Sequence, residues 1–427
     1  MREALGALTL RGRAFLAGGL TAVACAVVLG QSALVRVGLL VLLLPLASAL
    51  FLARSRYRLA LHREVSPRLV AAGQTATVSL TLTNEGRTPT GVLMLEEHVP
   101  YSLGARPRFV LEGIGHGWQR RVTYRLRSEV RGHHEVGPMT IRVADPFGLV
   151  ELGRAFHTTA PLTVTPRTTP LPPIPLGGAW SGAGDNRPRS FATGSAEDVT
   201  VRDYRRGDDL RRVHWRSSAR MGELMVRREE QPWQSRATVV LDNRVGAHRG
   251  QGAASSLETA VSAAASVAVH LASRGYAVRL VTAAGEDPGT AWHARDARAN
   301  TGPLLEALAV VELEARPLMD SRWMAEAGQG LVVAVVGALQ PADQPFMTRL
   351  HHHAGTALAL ALDVDAWAPH LPAVATESRA VLSASGWRAA PLGPADRLDA
   401  VWQELGSQAA RGAGAAPSAT GATRVGS

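Results

Sequence analysis

Two apolar runs separated by six residues constrain this chain more than any other feature. Ala14 to Gly30 and Val37 to Ala53 are each 17 residues without a charged side chain, and only Gln31 to Arg36 lies between them. At about 1.5 Å of rise per residue, each run just crosses a hydrocarbon core as a helix, so a tight transmembrane hairpin is expected, with the lipid bilayer as a partner. Arg2, Arg11 and Arg13 precede the first run, Arg54, Arg56 and Arg58 follow the second, and Arg36 alone sits between them. The positive-inside rule then puts both ends, and the bulk of the chain, in the cytoplasm of a cell with a two-span membrane anchor. A cleaved signal peptide is the alternative, but no convincing small-x-small cleavage site precedes the second run. Gly18, Ala22, Ala26 and Gly30 form a small-residue stripe at four-residue spacing. Packing against the second helix of the same hairpin is the first expectation for it, and association of two copies is the second.

The 427 residues, 46% of them apolar, suffice for two or three folded units. The net charge of +10 would ordinarily suggest an acidic partner, but all 46 basic residues are arginine. That bias reflects GC-rich coding, and acidic residues are interleaved with the arginines, so no nucleic acid partner is expected. The lack of lysine excludes a P-loop lysine, a Schiff base and a Ser-Lys dyad. Cys25, the single cysteine, lies in the first apolar run, which excludes an intrachain disulfide and a CxxC site.

From residue 59 to 166 the pattern alternates with period two, most clearly over Thr75 to Thr83 ahead of the turn Asn84-Glu85-Gly86. Gly91 to Glu96, Gln119 to Arg127, Gly137 to Val143 and Leu162 to Thr165 are further strand candidates, and together they predict a β-sandwich acting as a spacer or binding module. His133 and His134 are adjacent on a strand and so face opposite sides, which predicts solvent-exposed histidines rather than a metal site. Thr168 to Gly184 is rich in Pro and Gly and reads as a linker. Its Gly182-x-Gly184 pair follows no strand and opens no helix, too weak a signal for a phosphate loop.

Ala237 to Asp242, Ala277 to Thr282, Leu331 to Val336 and Leu358 to Asp363 are buried-strand candidates alternating with helical stretches. Ser255-x-x-Glu258 makes a capping box for a helix with Leu257, Val261, Ala264, Val267 and Leu271 on one face, and Gly275 stops it. A parallel, Rossmann-like sheet covered on both faces follows, with its ligand site outside the carboxyl ends of the strands. His270 reads as a packed histidine, His351-His352-His353 as a polar surface run, and the composition from Gly406 onward as a disordered tail.

Between linker and sheet lies VRDYRRGDDLRRVHWRSSARMGELMVRREEQ, residues 201 to 231. Asp208 and Asp209 can cap a short helix carrying Leu210, Val213 and Ser217, and Glu223 to Arg228 reads as a strand. The pattern Tyr204-x-x-Gly207-Asp208-x-x-Arg211-x-x-x-Trp215-x-x-Ser218-Ala219-Arg220, continuing to Arg228, resembles the hallmark of the domain of unknown function 58 family. Gly137-Pro138, the segment Asp145-Pro146-Phe147-Gly148-Leu149 and the paired N-terminal helices are similar to that family too. The resemblance implies a bacterial membrane protein with a von Willebrand factor A-like C-terminal domain, working beside a MoxR-type AAA+ ATPase. It implies no catalytic residue and no cofactor. In von Willebrand A domains Asp-x-Ser-x-Ser after the first strand and a later Asp hold Mg²⁺. Here the loop reads Asp242-Asn243-Arg244-Val245-Gly246, both serines are replaced, and Gly337 stands at the later position. An arginine beside the lone carboxylate supplies the positive charge and repels a divalent ion, so no metal is expected.

The expected organisation is therefore a multi-domain α/β plus β chain. A transmembrane hairpin (1–58) leads to a sandwich (59–166), then the linker and signature motif (167–235), a von Willebrand A-like domain (236–405) and the tail (406–427). The expected function is a non-enzymatic, membrane-anchored scaffold or adaptor. Its interaction motif is Asp203, Tyr204, Gly207, Asp208, Arg211, Trp215 and Arg220, and Asp242, Arg244 and Gly246 form a degenerate metal loop. The alternatives are a metal-dependent adhesion module and a membrane-proximal enzyme using Asp203, Asp208, Asp209, Arg211 and His214.

Overall fold

The computed structural model describes residues 7–54, 59–86, 92–111, 117–145, 147–176, 201–203, 215–227, 236–286, 301–326 and 330–413. Contacts divide the chain into two units. The first holds residues 1–169, 249–266 and 302–313, and the second holds 170–248, 267–301 and 314–427.

The first unit begins with two helices, α1 (Leu10–Leu29) and α2 (Ser32–Arg54), both long and apolar enough to cross a membrane. Thr9 caps α1 by accepting the Gly12 N–H, and Gly30 ends it in the left-handed conformation, φ 67°. The turn is thus only Gly30 and Gln31, shorter than the expected Gln31 to Arg36, because a helix needs no break at Arg36. The small-residue seam also differs from the expected stripe. A Cβ on Gly19 would meet the Leu42 backbone at 2.9 Å and one on Gly38 the Val23 backbone at 2.9 Å, whereas Gly18 has open space. Four-residue spacing precesses about 40° per step around a helix, so the seam runs through Gly19, Ala22 and Ala26 instead.

Ten strands follow: β1 (Leu59–Ser66), β2 (Leu69–Ala71), β3 (Thr75–Asn84), β4 (Leu93–Glu97), β5 (Arg108–Leu111), β6 (Gln119–Arg127), β7 (Gly132–Val136), β8 (Met139–Ala144), β9 (Glu151–Phe156) and β10 (Ala160–Thr165). They form three sheets, ordered β1-β3-β6, β2-β10-β7 and β5-β4-β8-β9, around one apolar cluster that includes Val78, Leu80, Leu95, Ile141 and Val164. β3 buries alternate residues, Ala76, Val78, Leu80 and Leu82, as the period-two pattern requires. His133 is exposed, but His134 is half-buried with Nδ1 3.3 Å from Ser102 Oγ, and burial pushes its imidazole below the ordinary value. The expectation that both histidines face solvent fails because the inner face of β7 carries His134. The α1 entry is tied to the β8–β9 turn. Leu8 bridges Val150, Thr9 Oγ1 donates to Gly148 O at 2.8 Å, and a Cβ on Gly12 would fall 2.1 Å from Leu149 O. Ala49 and Leu52 of α2 share the buried cluster with Leu149 and Val150. Arg131 donates to Leu308 O at 3.0 Å and also to Val311 O and Glu258 within this unit.

In the second unit a short antiparallel pair, β11 (Val201–Asp203) with β12 (Met225–Arg227), precedes β13 (Arg236–Leu241), β14 (Ala277–Thr282), β15 (Gly285–Glu286), β16 (Leu331–Val336), β17 (Thr356–Leu362) and β18 (Arg388–Leu392). These last six form one sheet ordered β15-β14-β13-β16-β17-β18, in which every pairing is parallel except β14 with β15. The described helices are α3 (Trp215–Met221), α4 (Ser256–Ser273), α5 (Gly302–Ala309), α6 (Gln344–His353), α7 (Ala375–Ala384) and α8 (Leu398–Ala413). α4 is divided between the two units' residue sets, and α5 lies wholly in the first. α8 runs past the expected end at residue 405, since Gly406 is buried against Ile174.

The start of the Pro/Gly segment is pinned rather than free. Leu171 is buried, Trp402 Nε1 donates to Pro172 O at 3.1 Å, and Leu176 O accepts from Thr356 Oγ1 at 3.5 Å. His270 packs edge-on against Trp402, ring centroids 5.8 Å apart, and His351 lies against Trp387. His351 is therefore a packed residue, while His352 and His353 stay exposed.

Candidate functional site

The carboxyl ends of β13 and β16, adjacent strands that are remote in sequence, define the point at which the chain order reverses across the sheet. Asp242 follows β13 directly and is fully buried, with its N–H donating to Val335 O at 2.9 Å. Arg244, 5% exposed, folds back over it. Its Nε and Nη2 donate to Asp242 Oδ1 and Oδ2, both at 2.9 Å, a fork matched to a carboxylate. Nη1 and Nη2 also donate to Asp343 Oδ1 and Oδ2 at 2.7 and 3.2 Å, and Nη1 to Pro317 O at 2.8 Å.

All five guanidinium N–H groups are thereby engaged, and the arginine fills the space between two carboxylates. Burial alone would lower the Arg244 pKa, but its bonds to Asp242 and Asp343 outweigh that and raise it above the ordinary arginine value. His248 Nε2 lies 2.5 Å from Asp242 O, and burial pushes its imidazole down. Asn243 accepts the Ala283 N–H at 2.9 Å through Oδ1, fixing the loop from its other side. Gly337 follows β16, and a Cβ there would fall 1.9 Å from Ala247 O, so no side chain can stand at that position. Gly246 lies exposed in a 3-10 turn, Val245–Ala247.

Of the degenerate loop read from sequence, the structure brings together Asp242 and Arg244 and leaves Gly246 outside. It adds Asp343 and Pro317, which sequence reasoning missed. Asp343 also accepts the Gln340 N–H at 2.9 Å in a reciprocal capping box, and that box was its only local signal.

The signature motif is described in part. Tyr204, Gly207, Asp208 and Arg211 lie outside the described residues, as do Asp209, Leu210, Val213 and His214. Asp203 ends β11 and pairs with Met225 of β12. α3 starts at Trp215, and Ser218 Oγ accepts the Met225 N–H at 2.9 Å, tying helix to strand. Trp215 is 70% exposed, Arg220 is also exposed, and Met221 and Leu224 are 68% and 42% exposed. The apolar side chains of α3 and its following turn thus face outward.

The fold and rim define an open α/β unit whose strand-switch point is closed by an internal cation, in a chain that starts with two apolar helices. Residues 200–364 match the family model described as "Protein of unknown function DUF58". No curated protein matches the chain. Among solved structures, it is similar to the CARDB domain of a Pyrococcus furiosus protein in complex with di-metal ions at 14% identity, covering 25% of this chain and 93% of that one, TM-score 0.20. The complex of zinc 2-glycoprotein and prolactin inducible protein from human seminal plasma matches at 12% identity over 26% of this chain and 98% of that one, TM-score 0.21. A Listeria innocua β-glucosidase in complex with gluconolactone matches at 12% identity over 26% and 16%, TM-score 0.18. Likenesses at these scores carry no argument about function.

Proposed function

We propose that this protein is a membrane-anchored, non-enzymatic scaffold. In this reading α1 and α2 span the bilayer with both ends cytoplasmic, and the ten-stranded region is a β-sandwich spacer. The second unit is then a von Willebrand factor A-like domain that recruits a cytoplasmic partner, an AAA+ ATPase of the MoxR type. The single observation that carries the proposal is the Arg244 guanidinium locked between Asp242 and Asp343, since it turns the ligand-binding end of the sheet into a satisfied structural cluster. The strand order supports the domain assignment. Numbered by appearance from β13, it runs third, second, first, fourth, fifth, sixth, the order of a doubly wound sheet. Supporting the anchor, Leu20, Val28, Leu40 and Leu50 are 63–86% exposed, apolar surface that water would not tolerate in bulk. Trp215, Met221 and Leu224 are the apolar surface offered to the partner.

Copurification from native membranes tests the scaffold role. A stoichiometric cytoplasmic partner is expected, and Arg211→Glu and Trp215→Ala should weaken its recovery by roughly 2 to 5 kcal/mol with the fold intact. If recovery is unchanged, the motif is internal scaffolding and the docking role fails.

A further inference from the structure

The end of the first unit from which the two apolar helices depart carries an arrangement that the anchor and scaffold roles do not use. Leu59 pairs with Asn84, and the Asn84 N–H donates to Trp118 O at 2.9 Å, so Leu59, Asn84 and Trp118 form one row at this end. Leu59 follows Arg54, the last residue of α2, by five positions. That chain length spans at most roughly 17 Å. From the other helix, the β8–β9 turn reaches the same end through the Leu8–Val150 bridge and the Thr9 bonds to Gly148 and Leu149. Phe147, on that turn, is 60% exposed. Arg11 and Arg13 are exposed in the first turn of α1. The Arg120 guanidinium lies 5.3 Å from the centroid of the half-buried Trp118 ring.

An apolar ring, an amphipathic indole and a set of guanidinium groups at the level where apolar helices begin match the chemistry of a bilayer surface. Indoles settle at headgroup depth, and arginines there meet phosphates. We infer that this end of the β region is itself a membrane-contacting face: Phe147 enters the boundary between headgroups and acyl chains, while Arg11, Arg13 and Arg120 engage anionic phospholipid headgroups. The inference rests on the proposed spanning of α1 and α2. Its occupant follows from charge complementarity and from continuity with the surface those helices cross. Tyr101, 99% exposed, supplies the contrast. It follows β4, whose Glu97 pairs with Met139 at the start of β8, and so lies at the end away from the turn.

The test uses the full chain with Cys25→Ala and one new cysteine, Leu40→Cys, Phe147→Cys or Tyr101→Cys, carrying an environment-sensitive dye. Each is placed in nanodiscs of phosphatidylcholine alone or with phosphatidylglycerol, and shallow and deep lipid-borne quenchers report depth. The Leu40 label should be quenched deep in both lipids and the Tyr101 label in neither. The Phe147 label should be quenched by the shallow probe, on the order of twofold more with phosphatidylglycerol. Arg13→Glu with Arg120→Glu should remove that lipid dependence without moving the Leu40 label. An aqueous Leu40 label overturns the anchor and this inference together. A buried Leu40 label with an aqueous Phe147 label overturns this inference alone, and shallow quenching indifferent to phosphatidylglycerol overturns the anionic-lipid assignment.

Discussion

In the β region Arg63 and Glu97 meet with Nη2 and Oε1 2.7 Å apart, their side chains 2% and 0% exposed. At the strand ends of the second unit Arg244 meets Asp242 and Asp343 at similar distances and similar burial. The components are alike, but the satisfaction differs. Every Arg244 donor has an acceptor in good geometry. Among the described residues the Glu97 carboxylate meets only Arg63, at close range but without the alignment of a good hydrogen bond, and the Tyr124 hydroxyl is buried without a partner. Burial, only partly opposed by Arg63, raises the Glu97 pKa to about 7, and burial followed by the Glu97 charge raises Tyr124. Proximity of opposite charges therefore does not decide whether a buried pair holds its charge. The number of aligned donors does, because each removes part of the desolvation cost.

The largest expected effect tests the satisfied cluster. Arg244→Met leaves two buried carboxylates facing each other, and this should cost about 3–5 kcal/mol of stability in the second unit. Amide exchange of the full chain in nanodiscs, read over residues 236–241 and 331–336, checks it. A loss below 1 kcal/mol would mean that water or rearrangement solvates the rim and that the comparison is false.

How much of this was legible in the sequence depended on range. β6, β14 and β16 begin and end as expected because their alternating or continuous apolar patterns are local properties. β1, β5, β7 and β9 escaped notice, since Arg, His and Glu interrupt their patterns and pairing with better strands forms them. Asp242 and Arg244 were legible as a loop with an internal cation, two residues apart. Asp343 is 99 residues from Arg244, and no local pattern joins them. The proline run at 170–176 read as a free linker because composition reports stiffness, not the Trp402 and Gly406 against which it packs.

A smaller effect tests the unsatisfied pair through pH. Glu97 binds its proton more tightly folded than unfolded, so its protonation favours the native state. Its contribution is fully present below the unfolded value of 4.5, and is lost as pH rises through about 7. The first unit should lose up to about 3 kcal/mol between pH 5 and 8, given about 1.4 kcal/mol per pK unit. Glu97→Gln should flatten that profile. Exchange protection of residues 76–82 across this range reads it directly. A rise in stability with pH would show that Arg63 dominates Glu97 after all.

The smallest expected effect is the sharpest test, because it asks whether each cluster can be replaced by apolar side chains. Arg63→Met with Glu97→Met removes both members of the first pair at once. Neither Glu97 oxygen accepts a backbone N–H, so little is lost beyond the pair itself, apart from the Arg63 Nη1 bond to Thr158 O. Replacing a buried pair by apolar groups of similar volume is often neutral or stabilising. The double variant should therefore lie within about 1 kcal/mol of the parent at pH 7, while either single variant leaves one polar partner stranded and falls further. The rim cannot behave this way. Asp242 also accepts the Arg244 N–H at 3.1 Å and Asp343 the Gln340 N–H at 2.9 Å, so apolar replacement of that triad strips backbone donors as well as charges. Unfolding of both multiple variants in the full chain, followed by unit-resolved exchange, separates the cases. If the triad tolerates replacement as well as the pair does, hydrogen-bond satisfaction is not what distinguishes the two clusters.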